Sequence, residues 1–116
     1  MTITIYHNPR CSKSRKTLEL IRERGIEPRI VEYLRNPLPA STTLELASML
    51  GVRVAELLRT GEDDYNDDTR SLDDRALASW LEEHPRVLQR PIVVDEERKR
   101  ACIGRPPENV LALLEP

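Results

Sequence analysis

The spacing of apolar residues along the chain predicts four short strands. Residues 2–6 alternate between polar and apolar side chains, a pattern typical of a strand with one buried face. Residues 92–94 form a continuous apolar run, which fits a buried strand. Residues 29–33 are rich in residue types that favour strands, and residues 100–103 follow 92–94 after a charged turn. We therefore expect the last two strands to pair with each other.

Helical spacing fills the intervals between these strands. Apolar residues three or four positions apart, with glycine or proline at the segment ends, predict helices. The second helix begins at a Thr-x-x-Glu capping box. The predicted helices cover residues 14–24, residues 42–50 and residues 73–84, and a last one opens at residues 106–108. The side chains expected to face the core from these helices are Leu18, Ile21, Leu77, Trp80, Leu81, Val110, Leu111 and Leu114.

Two segments lie between the second and third predicted helices. Residues 54–58 fit one further helical turn, whereas residues 60–69 are polar and acidic and are expected to form an exposed loop. The element order is therefore β-α-β, then a helical insertion, then β-β-α. A βαβ unit followed by a ββα unit matches the thioredoxin-like α/β fold, and 116 residues fit a single domain spanning positions 1–116.

Composition excludes several classes of protein. The net charge of −2 gives no global field that would attract nucleic acid or an anionic membrane. No apolar run approaches the roughly 20 residues of a transmembrane helix, and no signal-peptide pattern is present. We expect a cytoplasmic monomer with no bound metal or cofactor. Two cysteines far apart in sequence, in a chain for which we expect no export signal, predict free thiols rather than a structural disulfide.

Cys11 is predicted to be a reactive thiolate at the start of the first helix. A free thiol with a pKa of about 8.5 is only about 3% ionised at pH 7, so a reactive cysteine needs groups that stabilise its anion. Helix N-termini supply unpaired N–H groups and a positive dipole end. His7 could add a cation or a hydrogen bond, and Arg15 adds positive charge. The same amides could hold a tetrahedral oxyanion.

Two further features limit how Cys11 can act. Ser14 occupies the position that a second, resolving cysteine would hold in a C-x-x-C motif, so an external thiol must complete any turnover. Cys102 lies in a predicted strand, where we expect it to have a structural role. Arginine supplies 15 of the 18 basic residues, and its planar fork of donors suits oxyanions, although composition does not say which arginines bind one.

The segment Tyr-His-Asn-Pro-Arg-Cys-Ser-Lys-Ser-Arg at residues 6–15 resembles the glutaredoxin-coupled arsenate reductases, the family called ArsC. The likeness extends through residues 32–34, 55–59, 89–94 and 103–108, and so covers essentially the whole chain. In that family the motif cysteine attacks arsenate to form a thiol–arsenate ester. Glutathione then attacks the adduct, and glutaredoxin resolves the resulting mixed disulfide as arsenite is released.

The resemblance also assigns roles to individual residues. It implies that Cys11 is the nucleophile, that His7 lowers its pKa, and that Ser14 and Arg15 complete the motif. It implies an arsenate site formed by three arginines, which match Arg59, Arg90 and Arg105. Thioredoxin-like folds place a cis proline beside the active cysteine, so the Arg90–Pro91 bond is predicted to be cis.

Two other functions remain open at this stage. One is a glutathione-dependent thiol–disulfide oxidoreductase of unknown substrate, although disulfide exchange does not require three arginines. The other is a regulator resembling the Spx-type proteins, which share the fold and bind RNA polymerase. Those regulators usually carry a C-x-x-C switch, whose second cysteine is replaced here by Ser14.

Overall fold

The computed structural model describes residues 1–115, and its contacts divide the chain into two compact units. One unit contains Met1–Tyr33 together with the chain from Arg90 onward, and the other contains Leu34–Gln89. Pro116, the last residue of the predicted single domain, lies outside the described residues. In the described part of the chain, no helix combines the length and the apolar character that a membrane span would need.

The first unit contains a four-stranded sheet in the order β2-β1-β3-β4. Strand β2 is parallel to β1, whereas β3 is antiparallel to both β1 and β4. The strands are β1 (Ile3–His7), β2 (Arg29–Glu32), β3 (Ile92–Asp95) and β4 (Arg100–Ile103). The helices of this unit are α1 (Ser12–Glu23) and α4 (Asn109–Leu114). This is the predicted βαβ and ββα arrangement, so the thioredoxin-like prediction is confirmed.

The core of this unit lies between α1, α4 and one face of the sheet. Ile3, Ile5 and Val93 pack there against the inward side chains of the two helices. The predicted inward positions of α1, Leu18 and Ile21, are buried as expected. In α4 the expectation was partly wrong, because Leu113 is buried beside Val110 and Leu114, whereas Leu111 packs only at the margin of the cluster.

The second unit forms the predicted helical insertion and contains α2 (Ala40–Leu50) and α3 (Asp74–Glu83). Its shorter 3₁₀ turns are Val54–Leu57, Asp67–Ser71 and Pro85–Val87. The predicted start of α2 at a capping box is wrong. Pro39 occupies the N-cap position, and its carbonyl accepts the N–H groups of Thr42 and Thr43, so both threonines lie inside the helix. Gly51 ends α2, as predicted, and it does so in a left-handed conformation with φ of 70°.

Two other predictions for this unit need correction. Residues 60–69 are not uniformly an exposed loop, because the 3₁₀ turn beginning at Asp67 buries Thr69. Trp80 is only half-buried and stacks on His84 with ring centroids 4.2 Å apart. The further helical turn predicted for residues 54–58 is confirmed, and it is a 3₁₀ turn over Val54–Leu57.

Candidate active site

Cys11 caps the N-terminus of α1. The helix begins at Ser12, two residues earlier than predicted. Cys11, the residue before it, has an extended backbone with φ of −91° and ψ of 122°. The turn before it is closed by the Cys11 N–H, which donates to the Asn8 carbonyl at 3.0 Å. The Asn8 side chain fixes the same turn by accepting the Arg10 N–H at 3.0 Å. The sulfur therefore stands at the positive end of the helix dipole.

The surroundings of Cys11 favour its thiolate. Partial burial raises the pKa of the thiol, but the backbone N–H groups of Ser14 and Lys13 and the guanidinium of Arg90 act in the opposite direction. Their combined effect is larger, so the pKa of Cys11 lies below the ordinary value for a thiol. A larger fraction of the nucleophilic form is then present at neutral pH.

Arg90 and Arg105 both lie beside the sulfur. Arg105 Nη1 is 3.9 Å from Cys11 Sγ and also donates to the Arg90 carbonyl at 3.0 Å. The Arg90–Pro91 bond is cis, as predicted, and the Arg105–Pro106 bond is cis as well, which was not predicted. Two of the three arginines implicated from sequence thus gather around the predicted nucleophile.

His7 and Ser14 form a buried pair under the helix start. His7 Nδ1 and Ser14 Oγ are 2.6 Å apart, and Ser14 Oγ also accepts the Asn8 N–H at 3.1 Å. Burial lowers the pKa of His7, with the charges of Arg22 and Arg15 adding to this effect and that of Glu32 opposing it. A histidine with a lowered pKa is neutral at pH 7, so the expectation of a cation here is not supported.

Arg15 and Arg59 occupy different surroundings from this pair. The Arg15 side chain donates to the Pro9 carbonyl at 2.9 Å, and its N–H donates to the Cys11 carbonyl inside the helix. The amide of Arg15 is therefore paired within the helix, and it is not one of the N–H groups at the helix start that could hold an oxyanion. Arg59 belongs to the second unit, where its N–H donates to Val87 and its Nε lies 4.0 Å from a Glu62 oxygen. Its convergence on the anion stays a prediction.

This geometry can be compared with known proteins. The family model described as "ArsC family" matches residues 6–113. This chain belongs to the ArsC family. The match includes every residue discussed above as part of the site, from His7 to Arg105.

Individual ArsC relatives match over nearly their whole length. An uncharacterized protein of Escherichia coli, YfgD, is 46% identical, with 97% of this chain and 96% of YfgD covered. An arsenate reductase of Neisseria meningitidis is 41% identical, with 97% of each chain covered. The solved structure of an arsenate reductase from Vibrio cholerae is 40% identical, covers 98% of both chains and superposes with a TM-score of 0.91.

The second cysteine of this ArsC chain is in a very different environment from the first. Cys102 lies in β4 opposite Val93 and packs against the hydrophobic core. Burial raises the pKa of its thiol to about 11, so it is almost entirely protonated at neutral pH. Both cysteines are free. Within residues 1–115, no cluster of three or more His, Cys, Asp or Glu side chains could hold a metal ion.

Gly104 is a site residue that the sequence did not single out. It is buried, and its N–H donates to the Pro91 carbonyl at 3.0 Å. A Cβ atom at this position would lie 2.5 Å from Thr17 Oγ1 and 2.8 Å from Pro91 Cγ. Only glycine can therefore lie this close to Pro91 and Thr17. The contact joins the chain just before Arg105 to the chain just after Arg90. The feature of the sequence that could have identified this residue is a glycine directly before the Arg105-Pro106 pair.

A groove of about 580 Å³ runs along α1 beside His7. It is lined by Pro9, Arg15 and Leu18 near the active site, and by further charged residues of α1. The His7 side chain, although only 6% exposed, borders this open space. Two of the charged residues in the groove, Arg15 and Arg22, act electrostatically on the His7 ring.

Proposed function

We propose that this protein reduces arsenate to arsenite, with Cys11 as the nucleophile and glutathione and glutaredoxin as the external thiols. The observation that carries this proposal is the placement of Arg90 and Arg105 at a sulfur whose pKa is lowered. A thiolate that attacks a dianion meets electrostatic repulsion, and adjacent guanidinium groups offset it. They also stabilise the charge that develops in the transition state.

In the first step, Cys11 Sγ bonds to arsenic, and one arsenate oxygen leaves as water after protonation. Arg90 and Arg105 hold the remaining oxygens, with Arg59 as the proposed third ligand. The backbone N–H groups at the start of α1 offer further donors. The product is a thiol–arsenate ester that still contains As(V).

In the second step, glutathione attacks this ester. A disulfide bond forms between glutathione and Cys11, the sulfur–arsenic bond breaks, and its electron pair stays with arsenic as As(III). Glutaredoxin then takes the glutathione moiety by thiol–disulfide exchange and regenerates the Cys11 thiolate. Atoms and electrons balance because two thiols are oxidised to one disulfide for each arsenate reduced.

Both external thiols are needed because the chain offers no partner for Cys11. Ser14 stands at the C-x-x-C position, where it accepts a backbone hydrogen bond from Asn8. Cys102 has a raised pKa and packs against the core, so its thiol is a poor attacking group. We place the reaction in the cytoplasm, where glutathione keeps thiols reduced, and expect the protein to act as a monomer.

Relatives support arsenate as the substrate. Proteins named arsenate reductase match this chain at about 40% identity over its whole length. The two alternative functions from sequence are a disulfide oxidoreductase and a polymerase-binding regulator. Neither of them requires two arginines beside the Cys11 sulfur. Neither has a supporting observation of its own.

One coupled assay tests the proposal. The purified protein is given arsenate, glutathione, glutaredoxin and NADPH with glutathione reductase, and NADPH consumption is followed. We expect consumption that depends on arsenate and disappears in Cys11→Ser. Consumption with a mixed-disulfide substrate but not with arsenate would instead establish the oxidoreductase function. Polymerase capture without either activity would establish the regulator.

Arginine variants test the anion site in the same assay. Arg90→Ala and Arg105→Ala should each lower kcat/KM for arsenate by at least about tenfold, because each loses a charge-assisted bond worth about 1.5–3 kcal/mol. Arg100→Ala is the matched control, since Arg100 is exposed on β4. Unchanged rates in both site variants would contradict the anion site. Arg59→Ala tests the third proposed ligand.

A further inference from the structure

Glu32 is the last residue of β2 and pairs directly with His7 of β1. Side chains alternate between the two faces along each strand, so paired residues of neighbouring strands project from the same face. Ile5, two residues before His7, projects into the core against Leu18 and Ile21 of α1. His7 and Glu32 therefore both project toward α1, at the end of the sheet that leads into the active site.

Three charged groups act on the His7 ring in addition to its burial. Arg15 and Arg22 approach from α1, and both disfavour a positive charge on the ring. Glu32 approaches from β2 and has the opposite effect. Of these three groups, Glu32 is the one whose charge attracts a ring proton.

The hydrogen bonds of Ser14 select one form of the neutral ring. If the His7 proton is on Nε2, then Nδ1 accepts the Ser14 hydroxyl hydrogen while Ser14 Oγ accepts the Asn8 N–H, and all three groups are satisfied. If the His7 proton is on Nδ1, Ser14 Oγ must accept hydrogen bonds from both His7 Nδ1 and the Asn8 N–H. The Ser14 hydroxyl hydrogen can then no longer be donated to His7. Ser14 is fully buried, where an unmade hydrogen bond costs about 1–3 kcal/mol.

We propose that Glu32 is a positioning residue of the active site: its carboxylate keeps the His7 proton on Nε2, so that Nδ1 accepts the Ser14 hydroxyl and Ser14 is held at Cys11. Glu32 would act at a distance, through His7 and Ser14, and would touch neither the sulfur nor the substrate. The effect reaches Cys11 because the Ser14 N–H is one of the groups that stabilise its thiolate.

This inference rests on the proposed role of Cys11 as a thiolate, but its tests use no arsenate. A protein that fails to reduce arsenate would contradict the proposed function, whereas a Glu32 variant with unchanged alkylation of Cys11 would contradict only this inference. The two failures are therefore distinguishable.

The first test is nitrogen NMR of the His7 ring in the wild-type protein. The chemical shifts of the two ring nitrogens report which one carries the proton, and a His84→Gln variant assigns the signals of the two histidines. The proposal requires a proton on Nε2 with Nδ1 as an acceptor at neutral pH. A proton on Nδ1 would overturn it.

The second test is the pH profile of Cys11 alkylation in Glu32→Gln, measured in a Cys102→Ser background. Direct electrostatics alone predicts faster alkylation, because removing a negative charge favours a thiolate. The proposal predicts the opposite: about threefold slower alkylation at pH 7, equivalent to about 0.7 kcal/mol of lost thiolate stabilisation, with the profile moved to higher pH.

Glu32→Asp should restore most of the rate, because it restores the charge. Glu23→Gln is the matched control, since Glu23 lines the same groove from α1 but does not pair with His7. Unchanged or faster alkylation in Glu32→Gln, or equal slowing in Glu23→Gln, would refute the proposal. If Glu32→Gln does not fold, as judged by its thermal unfolding, the NMR result on the wild-type protein decides.

Discussion

Gly104→Ala should damage the active site by adding a single methyl group. Gly104 is buried immediately before Arg105, and its N–H is bonded to Pro91, the residue after Arg90. The two residues thus join the chain segments that carry the arginines at Cys11. A methyl group placed between them must push these segments apart.

The distances set the size of the effect. The new carbon would stand 2.5 Å from Thr17 Oγ1 and 2.8 Å from Pro91 Cγ, whereas ordinary van der Waals contacts of a Cβ atom lie at 3.4–4 Å. Relief requires a displacement of about 1 Å, and overpacking of this kind costs about 1–3 kcal/mol. For a chain of this length we expect the melting temperature to fall by about 4–12 °C.

Thermal unfolding followed by circular dichroism measures this loss, and alkylation of Cys11 at pH 7 reports the disturbed site. Gly61→Ala is the matched control, because a Cβ atom at Gly61 would meet nothing within 4 Å. Thr17→Ala should partly rescue Gly104→Ala by removing one of the two obstacles, and the double mutant should therefore be non-additive by at least about 0.5 kcal/mol.

Equal melting temperatures for Gly104→Ala and Gly61→Ala would refute the close approach. A destabilised Gly104→Ala protein that alkylates at the wild-type rate would show that the glycine supports the fold without shaping the site.

Three further predictions concern other residues. Ser14→Ala should slow the alkylation of Cys11 at neutral pH several-fold, because it leaves His7 Nδ1 and the Asn8 N–H without their common partner; an unchanged rate would contradict the role of this pair. Cys102→Ser should keep most of the arsenate-dependent turnover, and a loss equal to that of Cys11→Ser would show that both thiols take part. Asp95→Asn should cost about 1–3 kcal/mol at pH 7 in denaturant unfolding. Burial raises the pKa of Asp95, but bonds to Arg98 outweigh this and lower it overall, so the stabilisation is present above about pH 4 and is lost on acidification. The variant should therefore lose less stability than the wild type below pH 4, and equal acid sensitivity would contradict this assignment.

Much of the fold could be predicted because the local signals agree with each other. Each of these signals is local, because it depends on residues only a few positions apart. Examples are the alternation in β1, the apolar run of β3 and the glycine that ends α2. The N-terminus of α2 could not be placed correctly, because two competing signals overlap there. The Thr-x-x-Glu pattern fits a cap, but Pro39 already provides the helical φ and an acceptor carbonyl, and the helix begins after it.

The candidate site divides in a similar way. Cys11 could be identified from its own neighbours in sequence, because a polar turn before a helix creates an anion site locally. Arg90 and Arg105 come together only through the pairing of β3 with β4, and family resemblance rather than spacing selected them from 15 arginines. The contact between His7 and Ser14 bridges a turn of six intervening residues, and no pattern of residue types specifies it.

The central claim is that the Cys11 sulfur takes part in arsenate reduction and is left bonded to glutathione. A single-turnover experiment tests it most directly: Cys102→Ser protein is mixed with arsenate and glutathione without glutaredoxin, and intact mass and released arsenite are measured together. The account predicts one glutathione on Cys11 for each arsenite released, and neither product when arsenate is omitted. Arsenite released without a Cys11 adduct, or an adduct that forms equally without arsenate, would contradict it.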